Sequence, residues 1–244
     1  MKIRWSQRLV VAKHRCVAFT ALACALAVAG CVNVSTLQTA RTLPPGDQQV
    51  AVGGGMATFP ELANQGEVAA LFDTMYFGEI DWRIGLFDFL DVGVHVTFPG
   101  TSGGDVKYQF LDEGGLAMAT GLSLGAIQIS STSSSEDTTN GATDGSETST
   151  TTTTSEPKLT IVDVIAPLYI SYHVDEGLAL YASPKYLLRA FIGDSTAVAH
   201  YAGGTLGVQL GDGVGLLAEA SYLKGLSDSA TDTLQYNFAF FWSR

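Results

Sequence analysis

The sequence predicts an all-β fold, an antiparallel up-and-down transmembrane β-barrel of about ten strands preceded by a signal helix and an extended tether. Three observations point there. After residue 47 the chain is a series of short segments with period-two alternation, punctuated by Gly, Asp, Ser and Pro. In each segment the apolar face is continuous. The polar face holds Gly, Ser, Thr and isolated charges, where a soluble sandwich would carry abundant Lys, Glu and Arg. The connections, finally, alternate between tight and longer ones, as in barrels with short periplasmic turns and long outer loops.

In chain order, residues 1–30 read as a signal peptide. Lys2, Arg4, Arg8, Lys13 and Arg15 form a basic region without an acid, and Cys16 to Ala29 is almost wholly apolar yet too short to span a bilayer. Val28-Ala29-Gly30-Cys31 follows. Small residues immediately before a cysteine resemble the lipobox of bacterial lipoprotein precursors. An ordinary cleaved signal with a chance cysteine next to it would read the same way. The resemblance implies that Cys31 becomes the mature N-terminus and carries a diacylglycerol and an N-acyl chain, with no other cofactor. Its partners would then be outer-membrane lipid and the barrel-assembly and lipoprotein-sorting machineries. Val32 is not the aspartate that retains such proteins in the inner membrane, so the implied destination is the outer membrane, with both barrel termini periplasmic.

Composition narrows the function classes. Of 13 Lys+Arg, five leave with the leader, so eight remain against 24 Asp+Glu. So acidic a chain does not suit nucleic acid or another polyanion. Of three cysteines, Cys16 and Cys24 lie in the leader, which leaves no disulfide and no thiolate metal site.

Residues 31–47 (CVNVSTLQTARTLPPGD) read as the lipidated cysteine and an extended polar tether outside the barrel. Residues 48–244 are the barrel domain. Its segments run 48–59, 75–86, 90–98, 104–112, 115–129, 159–174, 178–193, 197–211, 214–226 and 233–243. Leu234, Tyr236, Phe238, Phe240 and Trp242 share one face of the last segment, with Phe241 the exception on the other. Residues 130–158 are Ser/Thr-rich and acidic and cannot bury enough surface to offset ordering, so they read as a disordered outer loop. Gly53-Gly54-Gly55 sits inside a strand pattern and marks bending or close packing. Pro167 and Pro184 fall inside strands six and seven, where a shared bulge would confine the loss of ladder hydrogen bonds. Phe59, Tyr76, Phe98, Phe110, Tyr222 and Trp242 lie near strand ends, as in interfacial girdles.

On the polar face lie Glu79, Asp81, Arg83, His95, Lys107, Asp163, His173, Lys185, Arg189 and Glu219. A turn centred on Glu176 sets Asp163 opposite Arg189. In a narrow lumen these charges either pack as ion pairs that hold the strands together or line a narrow polar channel. No catalytic or metal site is expected. His95, His173 and His200 fall at different heights, with His200 on the lipid side. Ten-stranded outer-membrane proteases are similar in strand count alone. His200-Tyr201-Ala202 lacks the serine of the His-x-Ser pair in lipid A deacylases. The expected role is structural or surface-interacting, with a narrow pore as the variant. The rival is a soluble, periplasmic, lipocalin-like lipoprotein that binds an apolar ligand, and a less favoured one is an outer-membrane hydrolase. What separates the membrane barrel from the soluble rival is which way Tyr236, Phe238, Phe240 and Trp242 point. Arg is expected to be excluded at 238 and better tolerated at 237.

Overall fold

The computed structural model describes residues 34–58, 74–98, 100–130, 158–193, 196–227 and 230–244. The proposed signal peptide, Cys31, Phe59 and nearly all of the acidic stretch lie outside them. Ten strands form one closed antiparallel barrel in which each strand pairs with its sequence neighbours and β1 closes on β10. They are β1 Gln48–Thr58, β2 Thr74–Phe87, β3 Leu90–Phe98, β4 Ser102–Glu113, β5 Leu116–Ser130, β6 Lys158–Asp175, β7 Leu178–Ile192, β8 Thr196–Leu210, β9 Val214–Gly225 and β10 Thr233–Ser243. Every predicted segment falls within two residues of its strand.

Two ends can be distinguished. At one, β2–β3, β4–β5, β6–β7 and β8–β9 join through tight turns at 88–89, 114–115, 176–177 and 211–213, and β1 begins and β10 ends there. At the other lie the longer connections, including 59–73 and 131–157. The register shifts at Gly85/Phe87, Gln109/Leu111 and His173/Asp175 all sit beside tight turns. At the loop end, Asp232 accepts hydrogen bonds from Tyr222 Oη at 2.7 Å and Gly225 N at 2.9 Å. The Tyr222 bond above all holds its carboxyl below the usual range.

Alternation governs the wall with few exceptions. Every buried strand residue has an odd number, and the exposed large apolar side chains of the strands are even-numbered, apart from Phe87 at the first tight turn. The even positions of the ten strands carry two Lys, Arg, Asp or Glu between the tight-turn bulges and the loop end, Lys158 at the start of β6 and Lys224 next to the end of β9. Tyr76, Leu206 and Phe238 are 75%, 70% and 66% exposed. Phe240 and Trp242 stand beside one another on the outside, with ring centroids 6.5 Å apart. The aromatics therefore face outward, which overturns the lipocalin-like reading: the large apolar side chains that would line a ligand cavity cover the exterior. Tyr76, Phe98 and Tyr222 lie towards the loop end, Phe110 and Trp242 towards the tight-turn end. Phe241, the exception in β10, turns inward and packs with Leu37, Ala51, Tyr181, Leu217 and Ala239.

Two local features are explained by contacts. A Cβ on Gly53 would lie 2.0 Å from Phe238 O and one on Gly55 2.1 Å from Tyr236 O, so only glycine lets β1 approach β10 so closely. At the prolines the expected bulge is absent. The β6–β7 ladder lapses between Pro167↔Lys185 and Ile170↔Ala182 and resumes in the same register. A missing N–H removes a bond without requiring an extra residue, so the pairing opens instead of shifting.

Phe238→Arg places a charge in the middle of the apolar belt, at a cost of about 2–4 kcal/mol if that belt faces hydrocarbon. The expected outcome is loss of membrane-assembled protein on fractionation, with Phe238→Leu tolerated. Wild-type yields from the arginine variant would contradict it. Asn237→Arg is no longer the mild control, because Asn237 is wholly buried in the lumen against other side chains.

Candidate functional site

The lumen is occupied by the chain itself. Residues Val34 to Thr42, expected as a tether outside the barrel, run extended along its interior, with Val34, Leu37 and Ala40 almost fully buried. The correction has a physical reason. Cys31 to Ala40 carries no charge, so the segment can be buried once its backbone is hydrogen-bonded. It then leaves at the tight-turn end through Pro44-Pro45-Gly46-Asp47. Asp47 N donates to Pro44 O at 3.0 Å and Gly46 has φ +89°, a type II turn with proline and glycine where that turn favours them.

A lone extended segment inside a barrel has no ladder, so side chains of the wall must answer its N–H and C=O groups. Near the loop end Gln235 Oε1 accepts from Val34 N at 3.1 Å. Glu219 accepts from Thr36 N at 2.8 Å and Leu37 N at 3.0 Å. Leu37, which donates one of these two consecutive amides, has φ +38°, in the left-handed region that a leucine seldom adopts. Tyr181 Oη (3.1 Å) and Asn237 Nδ2 (2.8 Å) also donate to Glu219, and Gln235 Nε2 donates to Asn237 Oδ1 at 2.9 Å. Lys185 Nζ donates to Val34 O and to Thr36 Oγ1 at 2.8 Å. Lower down, Gln38 Nε2 donates to Tyr169 Oη (2.9 Å) and Ala40 N to Ser171 Oγ (3.2 Å). Lys107 Nζ donates to Thr39 O (3.0 Å) and Arg41 O (2.8 Å) and pairs with Asp91 at 3.2 Å. Thr42 N donates to Gln109 Oε1 at 2.7 Å.

All the charged residues assigned to the polar face, Glu79, Asp81, Arg83, His95, Lys107, Asp163, Lys185, Arg189 and Glu219, occupy inward positions of their strands. They do not form one network. Arg189 and Asp163 pair in the expected register, with two bonds of 2.7 and 2.6 Å. Arg83 bridges Asp91 and Asp105, two partners that sequence reasoning did not single out. Lys107, Lys185 and Glu219 serve the threaded segment. His95 faces inward, His173 sits near the tight-turn end 3.2 Å from Ser171 Oγ, and His200 faces outward against Tyr186. Also missed were the neutral receivers Gln235, Asn237, Tyr169 and Ser171. The signal that could have found them is the pair of amides at inward positions of β10, which needs polar partners in the lumen.

Little space remains around the segment. A cavity of about 40 Å³ between it and Glu79, Asp81, His95 and Lys185 holds a few waters at most. A wider hollow of about 320 Å³ lies at the tight-turn end, lined by Thr39, Arg41, Lys107, His173 and Phe241.

No family model and no curated protein matches the sequence. Solved structures match in fold, among them outer-membrane β-barrel proteins. An outer-membrane channel of Pseudomonas putida F1 is 12% identical, with 87% of this chain and 100% of that one covered at a TM-score of 0.45. Ail of Yersinia pestis, solved with the heparin analogue sucrose octasulfate, is 8% identical, with 82% and 99% covered at 0.40. The protease OmpT of Escherichia coli is 10% identical, with 85% and 98% covered at 0.36.

Glu219→Ala leaves two backbone amides, Asn237 and Tyr181 without their shared acceptor. Bonds to a charged group contribute roughly 1.5–3 kcal/mol each and are not additive, so about 3 kcal/mol should be lost. Denaturant unfolding of detergent-folded protein should show a lower midpoint, with Glu219→Gln affected less because it keeps an acceptor. An unchanged midpoint in both would show that the carboxylate does not hold the segment.

Proposed function

We propose that this chain is an outer-membrane β-barrel anchored through Cys31, closed by its own N-terminal segment, with a structural or surface-interaction role. One observation carries the membrane assignment. Between the tight-turn bulges and the loop end, the even-numbered positions of the ten strands form an apolar belt whose two formal charges, Lys158 and Lys224, both lie at the loop end. The shortest strand has nine residues, enough for a tilted strand to cross the hydrocarbon. Water would leave such a belt solvated at great cost, while lipid would not. By the usual asymmetry of these barrels, the tight turns face the periplasm and the long connections face outward.

The threaded segment bears on the choice between packed lumen and pore. Val34 to Thr42 fills the axis, and its hydrogen bonds would have to break before an ion could pass. A closed barrel is therefore the favoured reading, and no reaction is assigned to it.

Two measurements test this. Detergent-extracted protein should migrate differently with and without heating, because folded barrels resist unfolding; identical migration, or recovery in the soluble fraction without detergent, would defeat the membrane assignment. In planar bilayers the wild type should give no steady conductance and a variant lacking residues 34–42 should conduct. Steady wild-type currents would favour the pore.

A further inference from the structure

The direction of the threaded segment decides where the mature N-terminus lies. Its lower end bonds to the tight-turn end of the wall. Thr42 Oγ1 donates to Asp88 O in the first tight turn at 2.7 Å, and Leu43 N lies 3.4 Å from Asp91. Moving back along the chain, the partners climb β6 from Ser171 to Tyr169, as Ala40 gives way to Gln38. They then reach Lys185 and Thr205 at Thr36. Val34 ends beside Gln235, two residues from the start of β10 at the loop end, packed on Leu187, Ala199, Tyr201 and Leu223. The segment thus traverses the lumen, and Val34 is its loop-end terminus.

We propose that the N-terminus emerges at the outer face, so that Cys31 and the acyl chains it bears are held in the outer leaflet and not the periplasmic one. The inference rests on the orientation given under Proposed function. Covalent geometry limits the alternatives. Two residues, Val32 and Asn33, separate Cys31 from Val34, three steps along the chain and a reach of about 10 Å at most. Gln235 stands about 7 Å along β10 from the first residue of that strand, so the rim is within reach. The opposite route would need a second strand to return through a lumen whose free space beside Ser35 to Gln38 is about 40 Å³. A second strand does not fit there. The lipid class is the same in both leaflets; what differs is the side from which it is held.

The mature chain has no cysteine besides Cys31, so single cysteines report position cleanly. In the full-length protein, Asn33→Cys, Asp47→Cys and Ser134→Cys would be treated with a membrane-impermeant maleimide on intact cells and again after the outer membrane is permeabilised. Asn33→Cys should label on intact cells as strongly as Ser134→Cys in the long loop-end connection. Asp47→Cys, half-buried beside the exposed turn 44–46 at the tight-turn end, should lose its labelling unless the cells are permeabilised. If Asn33→Cys behaves like Asp47→Cys while Ser134→Cys labels on intact cells, the outward exit is overturned and the barrel's orientation stands. If Ser134→Cys and Asp47→Cys exchange behaviours, the orientation itself falls and the inference falls with it.

Discussion

A peptide backbone cannot lie in a closed space without partners for its N–H and C=O groups, and that requirement shapes the interior of this barrel. The ten strands satisfy one another around the ring. The segment inside has no neighbour of its own kind, so the wall supplies one piecemeal. Glu219 and Gln235 accept from its amides, and Lys185 and Lys107 donate to its carbonyls at two heights. The charges in the lumen therefore divide into two kinds. Arg83 and Arg189 are paired with carboxylates of adjacent or nearby strands and tie the wall to itself. Lys185 and Glu219 tie the wall to its contents. Breaking a member of the first set strains the ring, whereas breaking one of the second loosens the segment.

The exterior imposes the opposite condition. There the side chains are apolar with few interruptions, and the backbone is satisfied by the closed ladder nearly everywhere, so few polar groups are presented along the belt. The lapse between Pro167 and Ile170 is the one interior break in the β6–β7 pairing away from the ends, and a hollow of about 360 Å³ opens on the surface beside Pro167 and Pro184. The register survives it because both flanks are held: Asp163–Arg189 above and the paired residues 170–173 with 179–182 below.

The wall was legible in the sequence because every strand carries a two-residue period that its neighbours repeat. Alternation with turn punctuation placed the strands to within two residues and set the inward identity of Phe241, and the turn centred on Glu176 opposed Asp163 to Arg189. The threaded segment was illegible for the same reason. Val34 to Thr42 has no ladder partner, so nothing forces its residues into alternation, and Leu37 breaks the extended path with a left-handed backbone. What the sequence did contain was an absence of charge from Cys31 to Ala40, unusual for a solvated linker in so acidic a chain. The error at the prolines was of another sort. A missing donor was equated with an extra residue, and the two have different geometric consequences.

The Gly53-Gly54-Gly55 run bears on the order of assembly. Whatever precedes Val34 would have to squeeze through the finished ring first if threading came last, past a bore already crowded by Tyr169, Tyr181 and Phe241. Zipping a curled, open sheet around the segment avoids that passage, and the seam that must then shut is β1 against β10. Three successive residues without side chains give this seam the least steric resistance where it meets Asn237. Once shut, it encloses the strand inside on every side, so that the segment can leave only by sliding along the axis against the hydrogen bonds that hold it.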